Sequence, residues 1–167
     1  MNYSITKASF DDVEEICATQ MAAIEDLRGQ DYSDQEIHAW AATAGLQNAI
    51  SSLKDPDKYI YAARDENGMV VGFCGLRDNQ ITDIYVDPDV AGNGIGSTLL
   101  RYAEWQIRKN GKRNIRLISS LNSVDFYKEK GYNPLSTTAL SVDENTDLDM
   151  VEMRKNFSGD YQNRKVG

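Results

Sequence analysis

Three glycines at alternate positions, Gly92, Gly94 and Gly96, stand between two apolar stretches of different period. Residues 81–86 read as a strand that ends at Asp87-Pro88. After the glycines, Ile95, Leu99, Ala103 and Ile107 recur at helical spacing until Asn110-Gly111 stops the run. A strand that turns into a helix returns the chain to its sheet by a β-α-β crossover, so strand 81–86 and the next strand, 114–118, are expected to lie parallel. The glycines also let the backbone approach a ligand closely. The first free N–H groups of a helix point the same way, which suits a phosphate or pyrophosphate. The alternative is a glycine-rich turn with no ligand. Two familiar nucleotide loops fail on spacing. A Walker A loop needs a lysine after its last glycine, and Gly96 is followed by Ser97-Thr98. The dinucleotide fingerprint is G-x-G-x-x-G early in a fold, whereas this is G-x-G-x-G after several strands.

The rest of the chain shows no repeat, linker or low-complexity tract. Residues 3–7 alternate like a first strand. Ser9 with Asp12 resembles an N-cap box ahead of a helix carrying Val13, Ile16, Ala18 and Met21. Ser33-Asp-Gln-Glu36 is a capping box for a second helix with Ile37, Trp40, Ala41 and Ala44 on one face and Gly45 as a candidate interruption. Residues 59–64 and 69–76 form a hairpin through Asp65-Glu-Asn-Gly68, in which Asn67 and Gly68 both tolerate positive φ. A short helix over 123–130, capped by Gly131, and strands near 132–139 and 148–155 complete the order β-α-α-β-β-β-α-β-α-β-β. Pro56, Pro88 and Pro134 are expected at turns, and Trp40 and Trp105 in the core. The fold class is α/β (α+β): one domain over 1–155 with a mixed central sheet of about seven strands flanked by helices. Residues 156–167 read as a solvated tail.

Composition narrows the chemistry. A chain of 167 residues with 41% hydrophobic and 26% charged side chains can bury one substantial core. No apolar run approaches the ~20 residues of a membrane span, and residues 1–10 do not resemble a signal peptide, so a cytoplasmic location is expected. The net charge of −8 disfavours nucleic acid and would draw in cations such as protonated amines. With one histidine, His38, a multi-histidine metal site is excluded, and no metal is expected. Cys17 and Cys74 are too far apart in sequence for a CxxC pair and read as buried thiols; a Cys74–His38 nucleophilic pair is the alternative.

Two segments together resemble the GNAT superfamily of N-acetyltransferases. The first is a strand with a Val-x-Pro turn followed by a glycine loop, here Ile84-Tyr-Val86-Asp-Pro88-Asp-Val-Ala-Gly-Asn-Gly94-Ile-Gly96. The second, Ser123-Val-Asp-Phe126-Tyr127-Lys-Glu-Lys-Gly131-Tyr132, is similar to the family's A-x-x-F-Y-x-K-x-G-F/Y. The resemblance implies acetyl-CoA as the donor and an amine, of a small molecule or a peptide, as the acceptor. It places the pyrophosphate on the N–H groups from Gly92 through Asn93, Gly94, Ile95 and Gly96 to Ser97. The pantetheine arm would lie against Ile84, Tyr85 and Val86 on one strand, with Ser120 or Asn122 opposite. Three positions depart from the family pattern: Ala91 stands for the usual Gln or Arg, Ser120 for a frequent asparagine, and Glu129 for a common lysine. The departures at Ala91 and Ser120 favour a second reading, an acyl-CoA-binding or sensing module with weak or no turnover. Family members pair in several ways, so a homodimer is compatible.

Direct acetyl transfer needs a neutral amine, a polarised thioester and a proton for the departing thiolate. The resemblance assigns that proton to Tyr127. Asp83 alternates onto the same strand face as Tyr85 and is a candidate base, acting directly or through water; a solvated surface aspartate is the alternative. Glu25, Asp26 and Asp31 fall in the region the family uses as its acceptor wall. They are candidates to hold a cationic amine or, equally, a solvated acidic face.

Overall fold

A computed structural model describes residues 2–158. The chain runs β1 (Ser4–Lys7), α1 (Val13–Glu25), α2 (Asp34–Ala42), α3 (Leu46–Lys54), β2 (Lys58–Arg64), β3 (Val70–Arg77), β4 (Gln80–Val86), α4 (Ile95–Lys109), β5 (Asn114–Ser120), α5 (Val124–Glu129), β6 (Asn133–Asp143) and β7 (Thr146–Asn156). Short 3-10 turns at Phe10–Asp12, Pro88–Val90 and Leu121–Ser123 precede α1, α4 and α5. The strands form one mixed sheet in the order β1-β2-β3-β4-β5-β7-β6, antiparallel throughout except for the parallel β4–β5 pair. The crossover through α4 is therefore the one the glycine turn predicts.

Local chemistry explains most boundaries. Ser33 Oγ accepts the Glu36 N–H at 3.1 Å while Glu36 Oε2 accepts the Ser33 N–H at 2.7 Å, closing the box that starts α2. Gly45, extended at ψ 159°, ends the expected single helix and starts α3, so three helices precede β2 instead of two. In the β2–β3 turn only Gly68 takes a positive φ; Asp65 Oδ1 instead holds the turn by accepting from Asn67 and Met69 N–H.

The two C-terminal strands are longer than expected because Val142 of β6 and Leu148 and Met150 of β7 pack together under α2. Pro134 lies in β6 rather than in a turn. This is an edge strand where a missing N–H costs no ladder bond, and a register shift follows it at Ser136. Strand β7 reaches Asn156, one residue into the expected tail, and Phe157 packs on the core. The rest of that tail, 159–167, lies outside the described residues.

Helix α4 buries Ile95, Leu99, Ala103 and Ile107 against one sheet face with Leu76, Ile81, Ile115 and Leu117. Ile16 of α1 covers Ile60 and Phe73 on the other face, and α1 and α2 carry Ile24, Ile37 and Trp40 onto β7. Trp105 does not join the core. Two residues from both Ala103 and Ile107, it faces the opposite side of α4, 44% exposed, with Lys109 Nζ 4.8 Å from its ring centroid. Among the described residues no helix is long and apolar enough to cross a membrane.

Candidate active site

The site begins with an irregularity in β4. Gly75 of β3 pairs with Asp83 while Leu76 pairs with Ile81, so Thr82 is an extra residue bulged out of the ladder. Thr82 and Asp83 then share a face above Gly75. A Cβ on Gly75 would lie 2.5 Å from Asp83 Oδ2 and 2.6 Å from Thr82 Oγ1, so glycine is what makes room for both. Past the bulge β4 leaves its parallel partner: only Gln80↔Arg116 and Ile81↔Leu117 pair with β5. The strands diverge into a wedge that holds a cavity of about 320 Å³.

Residues from both halves of the sequence motif meet there. Ile84, Tyr85 and Val86 line the β4 side; Ser120, Asn122 and Tyr127 line the other. Ser120 Oγ donates to Ser123 Oγ at 3.1 Å, whereas Asn122 Oδ1 is buried without a hydrogen-bond partner. Tyr127 is fixed by edge contacts with Phe126 and Tyr132, at 5.1 and 5.7 Å between centroids. Burial raises its hydroxyl above the ordinary tyrosine range, so it keeps its proton at neutral pH.

The glycine turn lies beyond the end of β4. Gly92 and Gly94 adopt φ of +83° and +76°, with open space where a side chain would stand. Gly96 has no such φ, and a Cβ there would sit 3.7 Å from Val86 Cγ2, an ordinary contact that joins the turn to the cavity edge. Asn93 is spent internally, donating to the Val90 carbonyl at 2.8 Å. The N–H groups from Gly92 to Ser97 make no hydrogen bond within the described residues, a row of free donors running from the turn into the first turn of α4. Ala91 is exposed and adds no donor of its own.

Asp83 faces the cavity but is not a free carboxylate. Lys58 Nζ is 2.8 Å from its Oδ2, with the lysine side chain 12% exposed, and Thr82 Oγ1 donates to the same oxygen at 2.8 Å. The adjacent Tyr85 hydroxyl is raised by burial and by the Asp83 charge. The third group of sequence candidates stays outside. Glu25 pairs with Arg28 at 2.5 Å, Asp26 and Asp31 are exposed, and none lines the cavity. From the same region it is Ala23, Leu27 and Trp40 that do.

The Cys74–His38 alternative is not assembled. Cys74 is sealed in the core with its thiol pushed up to about 12, and His38 is exposed on α2. Sequence reasoning also missed Lys58, Thr82 and Tyr32. Tyr32 donates to the Asp149 carbonyl at 2.7 Å and accepts the Leu121 N–H at 3.0 Å, tying the α1–α2 loop to β7 and to the end of β5. Gly75, one of two glycines inside β3 with Gly72, was the available signal for the bulge.

A family model described as an acetyltransferase (GNAT) domain matches residues 29–157. An uncharacterised N-acetyltransferase of Methanocaldococcus jannaschii is 27% identical over 144 residues, 78% of this chain; the chain spans 60% of that relative's length. Among solved structures, a GNAT N-acetyltransferase of Rhodopseudomonas palustris superposes with a TM-score of 0.86 at 25% identity, covering 94% of this chain and 97% of that one. The PaiA N-acetyltransferase of Thermoplasma acidophilum, solved in complex with coenzyme A, has a TM-score of 0.74 at 21% identity, covering 94% of this chain and all of that one. With the family model matching residues 29–157, more than half of its length, the chain belongs to the GNAT acetyltransferase family.

Proposed function

We propose that the chain is an acetyl-CoA-dependent N-acetyltransferase that acts in the cytoplasm and moves the acetyl group directly to a primary amine within a ternary complex. The observation that carries this reading is the wedge between β4 and β5, with Tyr127 on its wall and free N–H donors beyond the end of β4. The donor fits the residues present. The N–H groups of Gly92 to Ser97 suit a pyrophosphate, and Asn122, with an unpartnered buried oxygen, suits an amide N–H of a pantetheine arm. When bound, acetyl-CoA supplies an acyl thioester with a thiol leaving group.

The chain's own groups then divide the work. Backbone N–H groups of β4 that lost their β5 partners polarise the acyl oxygen. The amine nitrogen bonds to the acyl carbon, the carbon–sulfur bond breaks, and Tyr127 hands its proton to the departing sulfur. Asp83 takes the proton the amine must lose, directly or through water. Lys58 Nζ and Thr82 Oγ1 both already occupy its Oδ2, so the route through water to solvent is favoured.

Thiol release from acetyl-CoA across a panel of primary amines tests the reading. Tyr127→Phe should lower kcat by about a hundredfold while the acetyl-CoA Kd stays within about twofold. Acetyl-CoA binding without thiol release for any acceptor would instead establish the binding-module reading, and an unchanged kcat would remove Tyr127 as the acid.

A further inference from the structure

The cavity's walls differ from the chain's exterior in a way that constrains the acceptor. Among the described residues that line it Asp83 is the only charged side chain, and Lys58 already pairs with it at 2.8 Å. The rest of the lining is uncharged, and its apolar part comes from β4 and from five further elements or their ends: Ala23 and Leu27 at the end of α1, Trp40 of α2, Ile118 of β5, Leu140 of β6 and Met150 of β7. Two of these, Ile118 and Leu140, are large hydrophobic side chains left 46% and 39% exposed, which gives the cavity an apolar mouth as well as an apolar wall. Glu25, Asp26, Asp31 and Asp149, the acids close in sequence to these wall residues, are not among the residues that line the cavity.

We infer that the acceptor is a primary monoamine with an apolar body, an alkyl or arylalkyl amine, and that polyamines and other multiply charged amines are rejected. The inference rests on the transferase reading and names its substrate class. The physical reason is the cost of desolvation. A single amine nitrogen can lose its proton at the Asp83 end and enter as the neutral nucleophile. A second ammonium on the same molecule would meet apolar side chains such as Leu27, Trp40 and Met150 or neutral ones such as Gln80, with no uncompensated carboxylate in the lining to pair with it. An alkyl or aryl group in that place meets side chains it packs against. The overall charge of −8 therefore attracts cations to the surface without providing for them inside.

The test is steady-state thiol release from acetyl-CoA with matched acceptors: hexylamine against its α,ω-diamine counterpart, and phenethylamine against spermidine. The monoamine should show a kcat/KM at least about tenfold higher in each pair, the size of discrimination an apolar pocket gives. Leu140→Glu, at the exposed mouth, should narrow that ratio by raising the rate with the diamine. Equal or better rates with the diamine and spermidine would overturn the selectivity while leaving the transferase intact. No thiol release with any of these four amines, while another primary amine of the panel is acetylated, would overturn the selectivity and leave the transferase reading standing.

Discussion

Gly94 and Gly96 stand two positions apart and lack side chains for different reasons. Gly94 holds φ of +76° with nothing within 4 Å of a would-be Cβ, so its demand is conformational. Alanine there costs about 1 kcal/mol of strain and loosens the turn even without ligand. Gly96 makes no such demand, and its would-be Cβ has only an ordinary 3.7 Å contact with Val86. What its bareness preserves is close approach to the free N–H groups from Gly92 to Ser97. Gly96→Ala, inside α4, should therefore melt at or slightly above the wild-type temperature on its own yet bind acetyl-CoA about tenfold more weakly, ~1.4 kcal/mol. Thermal melts with and without acetyl-CoA, together with calorimetric Kd values, check both halves. A Gly96→Ala protein that binds as tightly as wild type would show that the pyrophosphate does not rest on this turn.

At the scale of elements, β4 owes its shape to one residue in the neighbouring strand. Gly75→Ala would press a Cβ onto Asp83 Oδ2 and Thr82 Oγ1, so the bulge side chains must move and the Lys58 pair with them. The expected outcome is a loss of about 1–3 kcal/mol in urea unfolding and reduced turnover, with acetyl-CoA affinity retained because the glycine turn is untouched. Wild-type turnover and stability would show that the bulge has slack.

The same strand shows what sequence can and cannot disclose. Alternation placed Asp83 and Tyr85 on one face and Ile84 and Val86 on the other. Local chemistry likewise made the Ser33–Glu36 box and the glycine turn legible. The bulge at Thr82 was hidden because it is set by strand pairing rather than by β4's own pattern. The acceptor wall was hidden for a similar reason. Charge drew attention to Glu25, Asp26 and Asp31, but the path of the backbone decides what points inward, and it is Ala23 of α1 and Leu27 in the turn after it that line the cavity. Long-range ties such as Tyr32 to Leu121 and Lys58 to Asp83 leave no trace in spacing at all.

For the molecule as a whole, the balance of charge makes stability depend on pH in one direction at the acid end. Arg64 grips Asp12 with two hydrogen bonds, 2.8 and 2.7 Å, fastening the turn before α1 to β2, and Asp12 is 6% exposed. The guanidinium holds the Asp12 carboxyl below its usual range against the opposing effect of burial. A folded-state pKa below the unfolded value means that the unfolded chain binds more protons between the two. Stability from this pair is therefore fully present above about pH 4–5 and is lost as pH falls through the folded pKa. Asp78, lowered by Lys112, shifts in the same sense but is exposed and screened. Asp12→Asn leaves Arg64 without its partner and should cost about 3 kcal/mol near neutrality. Urea unfolding of wild type and variant at about pH 7 and about pH 3 should show that gap shrinking in acid, because protonation does to the wild type what the substitution does at every pH. A gap that stays constant between the two conditions would mean that Arg64 stabilises the Asp12 carboxylate no better than water does.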